Sequence, residues 1–120
     1  QDPERILELL RDHLQREGFG DIELVAFDGE HPVAGDPSHP FVQDCVRVAE
    51  RMYGYRPALI PMMAGTGPVH QLCGRFGVPM ATAAGVGYAG SRGHAPDEHI
   101  RIDDFVEVTK YFVGLLEELA

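Results

Sequence analysis

Pro61-Met62-Met63-Ala64-Gly65-Thr66-Gly67-Pro68 is the stretch on which the fold turns. The apolar run Ala58-Leu59-Ile60 before it reads as a buried strand that extends to Met63. After it, Pro68 can open a helix that runs to Phe76, with Val69, Leu72, Cys73 and Phe76 on one face and Gly77 as its stop. A small glycine-flanked turn between strand and helix leaves the N–H groups of Gly65, Thr66 and Gly67 uncovered at a helix N-terminus. That arrangement favours an anion, although glycine and proline are also the ordinary choices for a plain strand–helix turn. The Gly-Lys-Ser/Thr ending of a phosphate loop is missing.

Outward from this turn, Pro79 to Ala84 reads as a second strand. It delivers the polar, glycine-rich loop Gly85 to Glu98. A helix crossover between two successive strands makes them parallel, so turn and loop are expected at one sheet edge. Gly85, Gly87 and Gly90 match a dinucleotide fingerprint by letter, yet no helix starts at Gly90, and that reading is set aside.

The remaining elements follow the same alternation. Asp2 caps a first helix with Pro3 in its first turn and Ile6, Leu7, Leu10 and Leu14 on one face; Gly18 and Gly20 end it. Asp21 to Phe27 reads as a strand, and Asp28 to His39, broken by Pro32 and Pro37, as an extended linker and unit boundary. Pro40 opens a helix with Phe41, Cys45, Val48, Ala49 and Met52 at core spacing and Gly54 as the stop. The last helix is expected to be capped by Asp103, with a buried stripe of Phe105, Thr109, Phe112, Leu116 and Leu119. The expected order is α-β, linker, α-β-α-β-α: an α/β protein with layered helices on a partly parallel sheet.

Composition narrows the functions. A formal net charge of −9 over 120 residues, with no basic stripe, argues against a nucleic-acid partner. No apolar run is long enough to span a membrane. Cys45 and Cys73 sit among apolar residues at helical spacing and read as buried thiols of a reducing, cytoplasmic compartment.

His94 is the strongest chemical candidate. Gly93 leaves it uncrowded, Pro96 stiffens the chain beyond it, and Asp97, Glu98 and His99 follow at once. A histidine beside carboxylates serves as a metal ligand or a general base, and the same residues also make a plain polar surface loop. Glu98 can pair with Arg92 or Arg101 instead. His31 and His39 read as exposed beside prolines, and His70 as packing at a core edge or reaching a ligand near the turn. A zinc site needs three or more converging ligands, and this chain offers one convincing one.

Gly65-Thr66-Gly67-Pro68, the strand entry Phe76-Gly77-Val78-Pro79, a Gly-x-Gly loop and His94-Ala95-Pro96-Asp97-Glu98 together resemble the C-terminal part of the M20 metallopeptidases. Those include aminoacylases, carboxypeptidase G, acetylornithine deacetylase, succinyl-diaminopimelate desuccinylase and dipeptidases. The resemblance implies a two-domain enzyme with two zinc ions, or manganese or cobalt in their place, in a catalytic domain interrupted by a lid that often forms a homodimer. Residues 1–34 would then end the lid, and residues 35–120 would be the returning catalytic segment. His94 would be the last metal ligand, Glu98 would stand behind it, and Gly65, Thr66 and Gly67 would receive the substrate's carboxylate. Met62-Met63 stands where some dipeptidases carry an Arg-Glu pair, and Asp97 where Asn is frequent. The His-x-Asp element, the bridging aspartate, the Glu-Glu pair and the catalytic base are absent. The implied function is therefore a fragment, inactive alone and without a catalytic residue, of a hydrolase for dipeptides or N-acyl amino acids. The alternative is a non-catalytic oligomerisation module or a small anion-binding domain.

Overall fold

The computed structural model describes residues 1–27, 29–63, 65–81 and 85–120. Among them are four α-helices, α1 (Pro3–Arg16), α2 (Pro40–Tyr53), α3 (Val69–Leu72) and α4 (Ile102–Leu119), with a 3-10 turn at Gly74–Phe76. They divide into two compact units. One comprises Gln1–Ala34 and Met62–Val78; the other comprises Gly35–Pro61 and Pro79–Ala120.

No strand occurs among the described residues, so the expected α/β sheet is corrected to a helical arrangement. Asp21–Phe27, Ala58–Met63 and the described part of Pro79–Ala84 carry apolar residues but no ladder. Residues 82–84 of the last of these, Ala64 of the turn and Asp28 of the linker lie outside the described residues. The physical reason is partnership: a strand exists only when a neighbour takes its N–H and C=O groups. Among the described residues of the unit Gly35–Pro61 with Pro79–Ala120, the extended segments share one backbone bond, from Gly35 N–H to the Pro61 carbonyl at 2.8 Å. Apolar side chains of the extended segments stay in water accordingly, Phe27 at 89% and Ile60 at 72% exposure. The parallel pair expected to carry turn and loop to one edge is likewise absent among the described residues.

The core lies between α2 and α4. His39 sits at the α2 N-cap and its Nδ1 accepts from Phe41 N–H at 3.2 Å, while Gly54 ends the helix at φ +75°. One face of α2 buries Val42, Cys45, Val46, Val48 and Ala49. From α4, Tyr111 and Leu115 are buried, Tyr111 completely. Its hydroxyl donates to the Cys45 carbonyl at 3.2 Å, and its ring stacks on Tyr53 at 6.5 Å. Gly114 lets the helices approach: a Cβ there would stand 3.3 Å from Val48 Cγ1. On the rim, Arg47 and Arg51 of α2 both reach Glu118 of α4, at 3.4 and 3.1 Å.

Two expectations for α4 are corrected here. Arg101, rather than Asp103, occupies the N-cap position; it bonds Asp104 twice, at 2.6 and 3.0 Å. The buried stripe runs through Tyr111 and Leu115, one residue out of register with the expected one, and Phe105, Phe112, Leu116 and Leu119 are exposed. α4 is apolar on more than one face, so periodicity alone does not select the face that α2 covers.

In the other unit, Asp2 caps α1 as expected, accepting from Arg5 N–H at 2.9 Å. No residue of α1 is buried. The expected Pro68–Phe76 helix is one α-turn followed by the 3-10 turn, closed by Gly77 at φ +64°. His31 and His70 meet there, with ring centroids 4.8 Å apart.

Candidate functional site

Among the described residues Gly65–Pro68, the turn makes few backbone bonds of its own. Val69 N–H bonds back to the Gly67 carbonyl at 2.7 Å, and α3 is entered from Pro68 without a side-chain cap. Among the described residues, the N–H groups of Gly65, Thr66 and Gly67 donate to no backbone carbonyl, and Gly65 and Thr66 are exposed. A four-residue helix contributes little macrodipole, so what the turn offers an anion is local N–H groups only.

The His94 loop, in the unit that also holds α2 and α4, is built more firmly. Tyr88 to Ser91 is a turn closed in both directions. Ser91 N–H donates to the Tyr88 carbonyl at 2.9 Å, and Tyr88 N–H donates to Ser91 Oγ at 2.9 Å. Ser91 is the one buried polar residue among those described, at 8% exposure. His99 N–H donates to the Ser91 carbonyl at 3.1 Å, closing the base of the segment between them. Inside that closure the backbone takes left-handed conformations at Arg92, His94 and Asp97, with φ of +55°, +62° and +62°. Each such residue costs about 1–3 kcal/mol and persists only where its surroundings hold it.

The holding bonds are visible. Ala95 N–H donates to the Arg92 carbonyl at 2.9 Å. His94 N–H donates to Glu98 Oε2 at 3.2 Å, so Glu98 grips the loop backbone and not the imidazole. Arg92 pairs with Asp97 at 3.3 Å, and Arg101 with Asp104; neither takes Glu98. The outcome is an exposed His94 at the tip of a closed loop. His94 fits as one ligand of a metal set. Among the described residues, however, no group of three or more His, Cys, Asp or Glu side chains converges to hold an ion.

Tyr88, Ser91 and His99 do structural work that their letters alone did not disclose. Serine three residues after Tyr88, across Ala89-Gly90, is a readable turn signal. The pairing of Tyr88 with His99, eleven positions apart, has no signal in spacing. His70, beside the turn, meets His31, and His39 serves as a helix cap. Cys45 is buried with its thiol pushed up by desolvation, Cys73 is half-buried, and both are free. No described helix is long and apolar enough to cross a membrane.

The chain matches the family described as Peptidase family M20/M25/M40 over residues 8–118. Among solved structures it is similar to an M20 family metallo-carboxypeptidase, Sso-CP2, from Sulfolobus solfataricus. The two are 37% identical with a TM-score of 0.86, over 97% of this chain and 26% of that one. The chain thus spans about a quarter of the length of the structure it matches. No curated protein matches it. With a family match over nearly its whole length and a solved metallo-carboxypeptidase sharing its backbone course, the chain belongs to Peptidase family M20/M25/M40.

Proposed function

We propose that this chain is part of a zinc-dependent hydrolase cleaving amide bonds of dipeptides or N-acyl amino acids, and that it performs no such hydrolysis alone. The observation that carries the reading is His94. It is exposed at the tip of a loop whose backbone Glu98 grips, on a chain that belongs to a peptidase family. When bound, a divalent metal supplies Lewis-acid polarisation of the scissile carbonyl and lowers the pKa of water. In the chain itself, His94 would hold one metal, Glu98 would keep the loop in its conformation, and the N–H groups of Gly65, Thr66 and Gly67 would receive the substrate's terminal carboxylate. The remaining ligands and the base would come from parts of the protein other than these residues. Residues 1–34 would belong to a dimerising lid domain and residues 35–120 to the catalytic domain of a cytoplasmic homodimer; manganese or cobalt are substitutes for zinc.

The test is metal affinity, measured by competition with a chromophoric chelator, in the full-length protein and its His94→Ala variant. The variant should lose at least the roughly 10- to 100-fold that disturbing a ligand's own supports costs. Hydrolysis of N-acetyl amino acids or dipeptides should fall with it, and the 120-residue chain should show none. Unchanged metal affinity in His94→Ala, or chelator-sensitive turnover by the short chain alone, would overturn the proposal.

A further inference from the structure

Three side chains and one backbone carbonyl at the foot of the His94 loop form a continuous fastening. The Arg101 guanidinium lies 4.4 Å above the Tyr88 ring. The Tyr88 hydroxyl is 2.7 Å from His99 Nε2, with the two rings edge to face at 5.7 Å. His99 Nδ1 is 2.8 Å from the Asp97 carbonyl. A carbonyl only accepts, so Nδ1 carries a proton and donates to it; with Nδ1 as the ring's single N–H, Nε2 accepts from the Tyr88 hydroxyl.

This fastening ends on Asp97, one of the three residues held at positive φ, and the backbone of His99 bonds Ser91 at the other foot of the loop. Exposed ion pairs such as Arg92 with Asp97 hold a backbone only weakly. The Tyr88–His99 and His99–Asp97 bonds are exposed too, but they are short, at 2.7 and 2.8 Å, and join into one chain whose neutral partners salt does not screen. We propose that Tyr88 and His99 are positioning residues for His94: their hydrogen-bond chain, ending on the Asp97 carbonyl, sets the loop's left-handed conformation before a metal arrives. The inference rests on the reading of His94 as a metal ligand. A loop already ordered loses less freedom on binding, so the clasp strengthens metal affinity without touching the ion.

The experiment uses the full-length protein without added metal, with amide hydrogen exchange read separately over residues 91–99, α2 and α4. Tyr88→Phe keeps the ring under Arg101 and removes only the hydroxyl; His99→Phe keeps a ring and removes both nitrogens. Tyr88→Phe should speed exchange in residues 91–99 by roughly five- to tenfold, the worth of one net hydrogen bond, His99→Phe by more because it removes two, and both should leave α2 and α4 unchanged. Zinc affinity, read by chelator competition, should weaken in parallel. His99→Asn restores an amide donor near the Nδ1 position, so it should recover part of the protection, which mere filling of space would not. Unchanged exchange over residues 91–99 in both Phe variants overturns the proposal, as does His99→Asn behaving like His99→Phe. Loosening in the clasp variants, with metal affinity unchanged in His94→Ala, keeps the clasp and removes the metal reading. Intact protection in the clasp variants, with affinity lost in His94→Ala, does the reverse.

Discussion

The two compact units contain helices of similar amphipathic character, yet only one has a core. Every buried residue among those described lies in Gly35–Pro61 or Pro79–Ala120, and none lies in Gln1–Ala34 or Met62–Val78. α1 presents Ile6, Leu9 and Leu10 as regularly as α2 presents its valines, but those three residues are exposed. Patterning therefore says that a face is apolar, and only a partner of matching shape turns it into a core. α2 has one: small side chains at Cys45, Val48 and Ala49 receive Tyr111, and Gly114 brings the helices close.

The largest expected effect separates the units directly. Tyr111→Ala should cost about 3–5 kcal/mol, because it empties a fully buried site and removes the hydroxyl that donates across to the Cys45 carbonyl of α2. Leu10→Ala, on an exposed position of α1, should stay within about 0.5 kcal/mol. Urea midpoints of the 120-residue chain measure both, and equal losses would abolish the contrast.

A second pair of substitutions sharpens it. Gly54 ends α2 at φ +75° and Gly77 ends the 3-10 turn at φ +64°, and a Cβ added at either position would meet no atom within 4 Å. Alanine at either place thus meets only the conformational penalty of positive φ, about 1 kcal/mol. In Gly54→Ala that loss should appear in global unfolding, because α2 carries the core. In Gly77→Ala it should appear as faster local exchange with little change in the midpoint. A shared midpoint shift would mean that both units unfold as one.

What could be read from the sequence follows the same division. α1 and α2, their caps at Asp2 and Gly54, and the core spacing of Cys45, Val48 and Ala49 depend on neighbours a few positions away, and all are present. The strands failed because a ladder depends on a partner that no local pattern contains. The α4 stripe failed because Phe105, Phe112 and Leu116 repeat as regularly as Tyr111 and Leu115 do. At the site, the glycines and Pro96 foretold a shaped loop, whereas the Tyr88–His99–Asp97 chain required the fold itself.

Alkaline pH should weaken the α2–α4 unit specifically. Burial, followed by the hydrogen bond with Cys45, raises the Tyr111 phenol above its ordinary value near 10. The folded state then holds the proton more tightly than the unfolded one. Its stabilisation is complete below the ordinary value and is lost as pH rises through the folded one. Tyr111→Phe should cost about 1 kcal/mol at neutral pH and remove most of this alkaline decline. A decline of equal slope in the variant would assign it to Cys45 and Tyr53, both also raised by burial.

The smallest effect belongs to the acid side and to the rim of the same helix pair. Hydrogen bonds from Arg51 and then Arg47 hold the Glu118 carboxyl below the usual glutamate range. The sign is opposite to that of Tyr111: the unfolded chain takes up the proton first. The stabilisation is present above the ordinary glutamate value of about 4.3 and is lost as pH falls through the lowered one. Solvent screens these groups, so the dependence should be shallow and should shrink further in high salt. Asp36 titrates in the same direction, but through the Ser38 hydroxyl and N–H at the entry to α2. Glu118→Gln should therefore flatten the salt-sensitive part of the acid limb and leave the part due to Asp36. An acid limb unchanged in both slope and salt response would show that the arginine pair on Glu118 does not hold α4 to α2.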